Sequence, residues 1–233
     1  MTASMHSLRH GYRALVIGAS GAIGQAFVQA LRGDPRCSDV QAISRGQPIA
    51  WDLTDEASLA ALVGQVQGPL HLVVDATGAL TLDGQGPEKR LQELDSQRLL
   101  RSLQVNAVGP ALLLRHLSPL LARGERVIWA KLSARVGSIE DNHKGGWYGY
   151  RAAKAALNQL LQTAAIEISR QRPLAVVAAL QPGTVRSALS QPFVADDALA
   201  PEVSAQGLLQ ALDSAPATGR ALFLDHRRSR IPW

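Results

Sequence analysis

The stretch that decides the fold reads Ala14-Leu15-Val16-Ile17-Gly18-Ala19-Ser20-Gly21-Ala22-Ile23-Gly24. Its first four residues are apolar and predict a buried strand. The residues after the glycines predict a helix, because one apolar stripe contains Ile23, Ala26, Phe27, Ala30 and Leu31. Such a turn lets backbone N–H groups approach a pyrophosphate at the positive end of the helix. We therefore expect dinucleotide binding here, the alternative being a tight strand-to-helix connection.

Short apolar runs alternate with segments of helical period along the rest of the chain. Strands are predicted at 40–43, 48–51, 70–74, 126–132, 174–180 and 221–224, and helices at 58–66, 91–121, 149–170 and 203–212, with a bend or break at Gly109 and Pro110. This order is typical of a parallel sheet with helices on both faces. We expect an α/β fold, a Rossmann-type doubly wound sheet of about seven strands. It should form one domain over residues 1–233, with a substrate loop at about 187–204.

Composition and cysteine content exclude several classes of protein. Hydrophobic residues make up 46% of the 233 residues and charged residues 18%, which argues against disorder. The lone cysteine, Cys37, favours a reducing compartment, and the chain has no Cys/His cluster with zinc-ligand spacing. Residues 1–12 have no apolar core of signal-peptide length, and the run 111–121 is interrupted by polar residues and a proline. We expect a cytoplasmic protein with no metal and no membrane contact.

The positive charge of the chain is the one feature that suggests a polyanion partner. The formal net charge is +5 and the pI is about 9.9. However, the basic residues are spread along the chain without interleaved aromatic residues, and even the densest cluster, 226–230, is typical of a solvated surface. A nucleic-acid binder would rest on charge alone, so we expect no nucleic-acid partner.

The residues after the second predicted strand bear on the choice of cofactor. About twenty residues past the glycine turn, an NAD-preferring fold usually has an acid for the adenosine ribose. Here the chain has Ser44-Arg45, and a guanidinium can bind a 2′-phosphate through two hydrogen bonds. This favours NADP over NAD, with NAD still possible. The alternative is a solvent-facing arginine after a strand.

Tyr150 and Lys154 lie four residues apart at the start of the strongest predicted helix, so their side chains share one face. A phenol with its ordinary pKa near 10 is a poor acid–base catalyst at neutral pH. A neighbouring ammonium favours the phenolate and lowers the pKa of the phenol. Taken alone, such a pair is more often a surface pair, and its significance depends on the rest of the chain.

With the glycine turn upstream and the parallel-sheet order between, the chain resembles the short-chain dehydrogenase/reductase family over nearly its whole length. The family's glycine motif, Thr-Gly-x-x-x-Gly-x-Gly, is similar to the segment from Ile17 to Gly24, with isoleucine for the threonine and Ala22 for the middle glycine. The resemblance implies cofactor contacts from Gly18, Ser20, Gly21, Ala22, Ile23 and Gly24. It also implies that Tyr150 and Lys154 are catalytic and that Lys154 reaches the nicotinamide ribose.

Further segments carry the resemblance on the cofactor side. The family's adenine-side aspartate is similar to Asp52, which Leu53 follows, and its Asn-Asn-Ala-Gly strand end resembles Asp75-Ala76-Thr77-Gly78. Asn106 matches the family asparagine that kinks a helix and holds the water of a proton relay to the lysine, a helix-bend asparagine being the alternative. Pro182-Gly183-Thr184-Val185-Arg186-Ser187 resembles the family segment that brackets the nicotinamide carboxamide. The expected contacts are then Ser44, Arg45, Asp52, Leu53, Ala76, Thr77, Gly78, Tyr150, Lys154, Pro182, Gly183, Thr184, Val185 and Ser187.

The catalytic serine departs from the family pattern. The family usually ends its fifth strand with Ser-Ser and uses the second serine, whose position here is Ala134. Ser133 remains, and because adjacent strand residues point to opposite faces it can substitute only where the strand has ended or bulged. We expect Ser133 to help hold the substrate carbonyl, with Ser138 as the reserve candidate.

The stretch between the serine and Tyr150 looks most like the C-factor or carbonyl-reductase-like branch, which has a longer loop there. In that case Trp147 and Tyr148 lie beside the substrate; the alternative is that they fill the core or a subunit contact. We expect the segments 141–147 and 191–199 to line the substrate site.

The resemblance implies an NADP(H)-dependent oxidoreductase that interconverts a carbonyl and an alcohol on a small molecule by hydride transfer. Tyr150 would exchange the proton, Lys154 would lower the pKa of Tyr150, and Asn106 would support the relay. The alternative is a catalytically weak NADP-binding sensor or signalling protein, which Ala134 motivates. The family resemblance also implies a homodimer or homotetramer.

Overall fold

One parallel sheet organises the chain in a computed structural model, which describes residues 4–46, 49–187 and 198–233. The strands follow the order β2-β1-β3-β4-β5-β6. They are β1 (Tyr12–Ile17), β2 (Cys37–Ile43), β3 (Leu72–Asp75), β4 (Val127–Leu132), β5 (Ala175–Gln181) and β6 (Leu222–Asp225). Because β1 pairs with both β2 and β3, the strand order reverses beside β1 and opens a crevice at the carboxyl edge there.

Helices connect the strands and cover both faces of the sheet. They are α1 (Ala22–Arg32), α2 (Glu56–Val63), α3 (Ser96–Leu103), α4 (Gly109–Leu117), α5 (Tyr148–Gln171) and α6 (Pro201–Asp213). Leu15 and Ile17 of β1 pack in the cluster that includes residues of α2, α4 and α5, whereas Ala14 and Val16 pack in the cluster with α1 and α6. The strand is therefore apolar on both faces, as a strand in a covered parallel sheet must be.

The predicted α/β fold with a doubly wound parallel sheet is confirmed, with six strands in the described part of the chain instead of about seven. The difference is the segment 48–51: Pro48 lies outside the described residues, and residues 49–51 form no strand. Trp51 instead folds back, and its indole Nε1 donates a 2.8 Å hydrogen bond to the Ser44 carbonyl. A short apolar run next to a buried tryptophan has the same sequence pattern as a buried strand. The prediction of a strand from this pattern was therefore wrong for residues 49–51.

The helical region predicted for 91–121 is present but is divided. A π-helical segment, Gln104–Val108, joins α3 to α4, and Gly109 donates its N–H to the Gln104 carbonyl five residues earlier. The irregularity therefore lies just before Gly109 and Pro110, which begin α4. Pro110 has no N–H, so it cannot donate the ordinary helical hydrogen bond to the carbonyl of Asn106.

No cluster of three or more His, Cys, Asp or Glu side chains suited to a metal ion occurs in 4–46, 49–187 or 198–233. None of the helices in those ranges is both long and apolar enough to cross a membrane.

Candidate active site

The glycine turn brings three backbone segments into close contact. Gly18 has a φ of +80°, a conformation that other residues rarely adopt, and its carbonyl accepts a 3.1 Å hydrogen bond from the Gly21 N–H. A Cβ at Gly24 would overlap the Gly18 carbonyl oxygen and lie 2.9 Å from the carbonyl carbon. Gly21 caps α1 without a side-chain hydrogen bond, so the first N–H groups of that helix stay open. The turn fits a pyrophosphate, as the sequence predicts.

The Ser44-Arg45 segment lies beside this turn. The Ile43 carbonyl, at the end of β2, accepts hydrogen bonds of 2.9 Å from the N–H groups of both Gly18 and Ala19. The Trp51 indole holds the next carbonyl, that of Ser44, at 2.8 Å. Arg45 is exposed. An exposed guanidinium next to the glycine turn is available for an anionic group of a dinucleotide bound there.

Asp52 and Leu53 connect this end of the crevice to α4. The Asp52 carboxylate accepts 2.8 Å hydrogen bonds from the N–H and the hydroxyl of Thr54, and these bonds lower the pKa of Asp52. Leu53 packs directly on Gly109, where an added Cβ would lie 2.5 Å from the Leu53 Cγ. Both residues therefore stand near the start of α4, and a side chain at position 109 would separate Leu53 from that helix.

The end of β3 meets the glycine turn from the other side. A Cβ at Gly18 would lie 3.0 Å from both the carbonyl carbon and the carbonyl oxygen of Ala76. At Gly78, an added Cβ would lie 3.1 Å from the Asn106 Oδ1 and 3.4 Å from the Lys154 Nζ. The structure thus brings the predicted cofactor residues at 76–78 together with two of the predicted catalytic residues.

Asn106 is fully buried in the π-helical segment. Its Nδ2 donates a 2.9 Å hydrogen bond to the Ala79 carbonyl, and its Oδ1 accepts a 3.0 Å hydrogen bond from the Ala79 N–H. This two-bond pairing fixes the loop after β3 on the α3–α4 region. It also holds Gly78 beside Lys154.

Tyr150 and Lys154 occupy one face of the first turns of α5, and the Lys154 Nζ lies 5.5 Å from the centre of the Tyr150 ring. The ammonium is buried and donates a 3.1 Å hydrogen bond to the Leu132 carbonyl. Burial, and secondarily the charge of Lys131, lowers the pKa of Lys154 to about 7. For Tyr150, burial raises the pKa, contrary to the expected lowering by Lys154. Desolvation of the phenolate is therefore the larger effect on Tyr150.

Two contacts set the position of α5, and sequence reasoning identified neither. Trp147 precedes the helix with a φ of +56°, and its N–H bonds to the Glu88 carbonyl. The buried Glu88 carboxylate accepts a 3.0 Å hydrogen bond from the Gly149 N–H, which caps the positive end of α5. Farther along, a Cβ at Gly137 would lie 2.8 Å from the Lys154 Cβ, so glycine is needed for this close approach.

The two candidate serines form hydrogen bonds with residues other than Tyr150. The Ser133 hydroxyl is buried and donates a 2.7 Å hydrogen bond to the Asn158 Oδ1 on α5. The Ser138 oxygen accepts a 3.0 Å hydrogen bond from the Asp141 N–H, and its hydroxyl donates to the Trp233 carbonyl at 3.4 Å. The hydroxyls of Ser133 and Ser138 are therefore both engaged within the protein. Ala134, the residue after Ser133, has an extended backbone and no hydroxyl to offer.

The predicted nicotinamide segment forms a braced turn after β5. Gly183 has a φ of +80°, and a Cβ there would lie 2.8 Å from both the His226 Cε1 and the Leu199 Cδ1. The Ser204 hydroxyl donates a 2.6 Å hydrogen bond to the Pro182 carbonyl, and the Leu199 N–H donates a 2.8 Å bond to the Thr184 carbonyl. Residues up to Ser187 are described, whereas 188–197, with most of the segment 191–199, lie outside the described residues.

The other predicted substrate-side segment, 141–147, is held by two arginines. Arg135 forms a 3.3 Å ion pair with Asp141. Arg151 Nε donates a 2.8 Å hydrogen bond to the Gly146 carbonyl. The Trp147 and Tyr150 rings meet edge to face with their centres 6.3 Å apart. Trp147 thus lies beside the candidate catalytic tyrosine.

A buried ion pair beneath the site was not predicted from the sequence. Lys131 on β4 and Asp75 on β3 are 1% and 0% exposed, and the Lys131 Nζ lies 3.0 Å from the Asp75 Oδ1. The signal was present, since a lysine interrupts an otherwise apolar predicted strand. Nothing in the sequence paired it with the acid at the end of the neighbouring strand.

Comparison with known proteins extends these observations. Residues 19–230 match a family model described as enoyl-(acyl carrier protein) reductase. The chain is 30% identical to 1-hydroxy-2-glutathionyl-2-methyl-3-butene dehydrogenase of Rhodococcus sp. over 78% of each chain. It is 28% identical to the C-signal protein of Myxococcus xanthus over 71% of this chain and 94% of that one.

Solved structures show the same fold. The NADPH-bound carbonyl reductase from chicken fatty liver superposes with a TM-score of 0.84 at 20% identity, covering 98% of this chain and 97% of that chain. Carbonyl reductase Sniffer of D. melanogaster superposes with a TM-score of 0.82 at 21% identity, covering 97% and 100%. Family membership rests on the match along residues 19–230 and on the 30% identity to the Rhodococcus dehydrogenase. The chain belongs to the short-chain dehydrogenase/reductase family of oxidoreductases.

Proposed function

We propose that the protein is an NADP(H)-dependent oxidoreductase that interconverts a carbonyl and an alcohol on a small molecule. The observation that carries this proposal is the placement of Tyr150 near the buried Lys154, with both Lys154 and Asn106 beside Gly78. This group stands at the carboxyl edge of the sheet, where parallel α/β folds bind their ligands. The cofactor, when bound, supplies or accepts the hydride.

In carbonyl reduction the Tyr150 hydroxyl donates its proton to the carbonyl oxygen. Because burial raises the pKa of Tyr150, the phenol keeps this proton through the neutral range. Lys154 supplies a charge beside the phenol that favours the phenolate formed by proton loss. Asn106, in the π-helical segment, holds the water of the proton relay to Lys154. The backbone carbonyl of Asn106 lacks its usual helical donor, because Pro110 has no N–H.

The hydride-transfer experiment tests this function directly. Purified protein is mixed with NADPH and a panel of ketones, aldehydes and diketones, and oxidation is followed by the loss of nicotinamide absorbance. An enoyl thioester is added to the panel because the matching family model carries an enoyl reductase description. We expect turnover of at least one carbonyl compound. Turnover of the enoyl thioester alone would contradict carbonyl reduction.

For the cofactor side we propose a preference for NADP over NAD, supported by exposed Arg45 beside the glycine turn. Replacing Arg45 with alanine should weaken NADPH binding by about tenfold or more, since hydrogen bonds to charged groups contribute about 1.5–3 kcal/mol. NADH, which lacks the 2′-phosphate, should bind with unchanged affinity. Titration of both cofactors measures the difference, and Arg45→Lys is the control that keeps the charge. An equal loss for both cofactors would reject the 2′-phosphate contact.

For Ser133 the geometry alters the role expected from the sequence. A hydroxyl has one proton to donate, and that of Ser133 is given to Asn158 on α5. We propose that Ser133 stabilises the position of α5 and that no serine hydroxyl donates a hydrogen bond to the substrate carbonyl. Ser133→Ala should then lower the melting temperature while changing kcat by less than about threefold, because the lost bond joins two buried groups.

The complementary variant restores the family serine. Ala134→Ser adds a donor beside the expected position of the carbonyl and should raise kcat about tenfold, less than the roughly 100-fold that loss of an established oxyanion donor costs, because the site is not built around the added hydroxyl. Steady-state turnover on the best substrate of the panel measures both variants. If Ser133→Ala instead slows turnover by about 100-fold or more, the size expected for loss of such a donor, the catalytic role returns to Ser133.

A second candidate function has its own observation. Ala134 stands at the family serine position, and the hydroxyls of the two candidate serines, Ser133 and Ser138, donate to Asn158 and to the Trp233 carbonyl. A catalytically weak NADP-binding sensor or signalling protein would tolerate this arrangement. The similarity to the C-signal protein is compatible with it. Such a protein would bind NADPH and turn over no member of the panel.

Assembly and location complete the proposal. We propose a homodimer or homotetramer in the cytoplasm, one domain over residues 1–233, and a substrate loop at about 187–204, of which 201–204 form the first turn of α6. Exposed apolar side chains such as Leu100 on α3 and Leu160 on α5 support self-association. Light scattering on the purified chain measures the assembly.

A further inference from the structure

The Lys131–Asp75 ion pair joins the middle of the sheet to the cofactor edge. Lys131 and Asp75 face each other across β4 and β3 in the strand register. The Lys131 Nζ lies 3.0 Å from the Asp75 Oδ1, 2.6 Å from the Thr77 carbonyl oxygen and 3.0 Å from the Thr77 Oγ1. The Asp75 Oδ1 also accepts hydrogen bonds from the N–H and the hydroxyl of Thr77. One buried ammonium therefore holds the turn that follows β3.

Stability does not explain the presence of this pair. Both side chains lie inside an apolar sheet, where the loss of hydration commonly offsets the attraction between two charges. The second Asp75 oxygen, Oδ2, is buried and has no hydrogen-bond partner within the described part of the chain. A pair of apolar side chains of similar volume would avoid that cost. The pair is therefore better explained by what it holds in place.

What the pair holds is the wall of the candidate active site. Thr77, bound to Lys131 through its carbonyl and hydroxyl, directly precedes Gly78, which lies against Asn106 and Lys154. Lys154 in turn donates its hydrogen bond to the carbonyl of Leu132, the residue after Lys131. Two buried lysines therefore lie near the end of β4. Lys131 holds the 75–78 turn, and Lys154, bound to the Leu132 carbonyl, faces Tyr150.

We propose that Lys131 is a positioning residue for cofactor binding. Through Asp75 and Thr77 it fixes the 75–78 turn against Asn106 and Lys154. It also places a positive charge near Lys154. This inference rests on the proposed function, since it assigns the turn to the cofactor site. Lys131 itself touches neither Tyr150 nor the expected position of the substrate. It acts through the residues that it holds.

The charge of Lys131 has a consequence that can be measured as a pH dependence. The charged or titratable groups around Lys154 are Lys131 on β4, Asp75 on β3 and Tyr150 on α5. Burial is the main cause that lowers the pKa of Lys154, and Lys131 lowers it more than Asp75 raises it. Lys154 carries its charge below this pKa and loses it as the pH rises. Removing both members of the pair should therefore keep Lys154 charged to a higher pH.

The experiment compares Asp75→Asn, Lys131→Gln and the double variant with the unmodified protein. Each single variant leaves one charge buried without its partner and should lower the melting temperature, whereas the double variant should recover most of that loss. We expect the double variant to bind NADPH at least about fivefold more weakly, because the amide does not reproduce the contacts of Lys131 with Asp75 and Thr77. The basic limb of its kcat/KM–pH profile should move up by about half to one unit.

A purely structural pair predicts a different result. If the double variant is stable and keeps both the NADPH affinity and the pH midpoint of the unmodified protein, the proposal is overturned. Lys89→Gln, at an exposed position, is the control for the loss of one lysine charge. Because cofactor affinity is measured without turnover, a protein that reduces no carbonyl would refute the proposed function and still test the role of Lys131.

A second variant covers the case in which the double variant does not fold. Thr77→Val removes the hydroxyl that bonds to both Lys131 and Asp75 and leaves the ion pair in place. The proposal expects weaker NADPH binding by about threefold or more, because the turn loses part of its attachment. Affinity equal to that of the unmodified protein would overturn the positioning role.

Discussion

Replacing Tyr150 with phenylalanine is expected to lower kcat by about 10³-fold, within the range for loss of a general acid–base group. The ring stays, so its edge-to-face contact with Trp147 and its place near Lys154 are retained. NADPH affinity should therefore change little, and only the proton exchanged with the substrate oxygen is lost. Steady-state kinetics and a separate NADPH titration measure the two effects.

Tyr148→Phe is the matched control for this variant, since Tyr148 lies two residues earlier on the same helix and its side chain is exposed. Its kcat should stay within about threefold of the original, because its hydroxyl, two positions from Tyr150, cannot share the face of Lys154. The ring predicted to lie beside the substrate is kept, so any effect of the lost hydroxyl on substrate contact should appear in KM. Unchanged turnover in Tyr150→Phe would refute the role of the phenol. A large fall in both variants would indicate a general disturbance of the start of α5.

Gly24→Ala is expected to remove NADPH binding, with affinity reduced by about 100-fold or more. The added methyl group would overlap the Gly18 carbonyl oxygen and lie 3.0 Å from the Ala19 Cα, and both neighbours are backbone. Since no side chain can rotate away, the turn itself must open, at a cost of about 1–3 kcal/mol in stability. That corresponds to a fall of several degrees in the melting temperature.

This expectation opposes the ordinary preference of helices. Alanine is favoured over glycine inside a helix by about 1 kcal/mol, so a loss at position 24 has to come from the contact with Gly18. Gln29→Ala, at an exposed position farther along α1, is the control and should bind NADPH normally. A Gly24→Ala protein that is more stable and still binds NADPH would show that the turn adapts without loss.

The fold was predictable because its signals are local. Runs of apolar residues indicated β1, β4 and β5, and the apolar stripes indicated α1 and α5. Boundaries moved where tertiary pairing decides them. For example, β3 begins at Leu72, because Leu70 instead forms an isolated bridge with Leu121. Residues 49–51 form no strand for a similar reason, since a pattern of apolar residues gives no sign of the hydrogen bond from Trp51 to Ser44.

The candidate site was predictable where a motif lies on consecutive residues. Gly18 and Asn106 both contact the segment 76–79, and Lys154 lies near Gly78 and Tyr150, while the roles of these residues stay predictions. What the sequence could not supply was pairing between distant residues. The contact of Glu88 with Gly149 spans 61 positions and that of Lys131 with Asp75 spans 56. The orientation of Ser133 likewise depends on Asn158, which sequence reasoning had no cause to consider.

The contact of Leu53 with Gly109 constrains how the cofactor preference of this protein could be redesigned. Exchanging the 44–54 segment for that of a relative is an obvious route to altered nicotinamide choice. However, the Leu53 backbone and side chain contact Gly109, the first residue of α4. Gly109 directly follows the π-helical segment that contains Asn106. A grafted segment with a bulkier residue at position 53 would displace that helix start and with it the asparagine. Successful redesign therefore has to treat positions 53 and 109 as one unit.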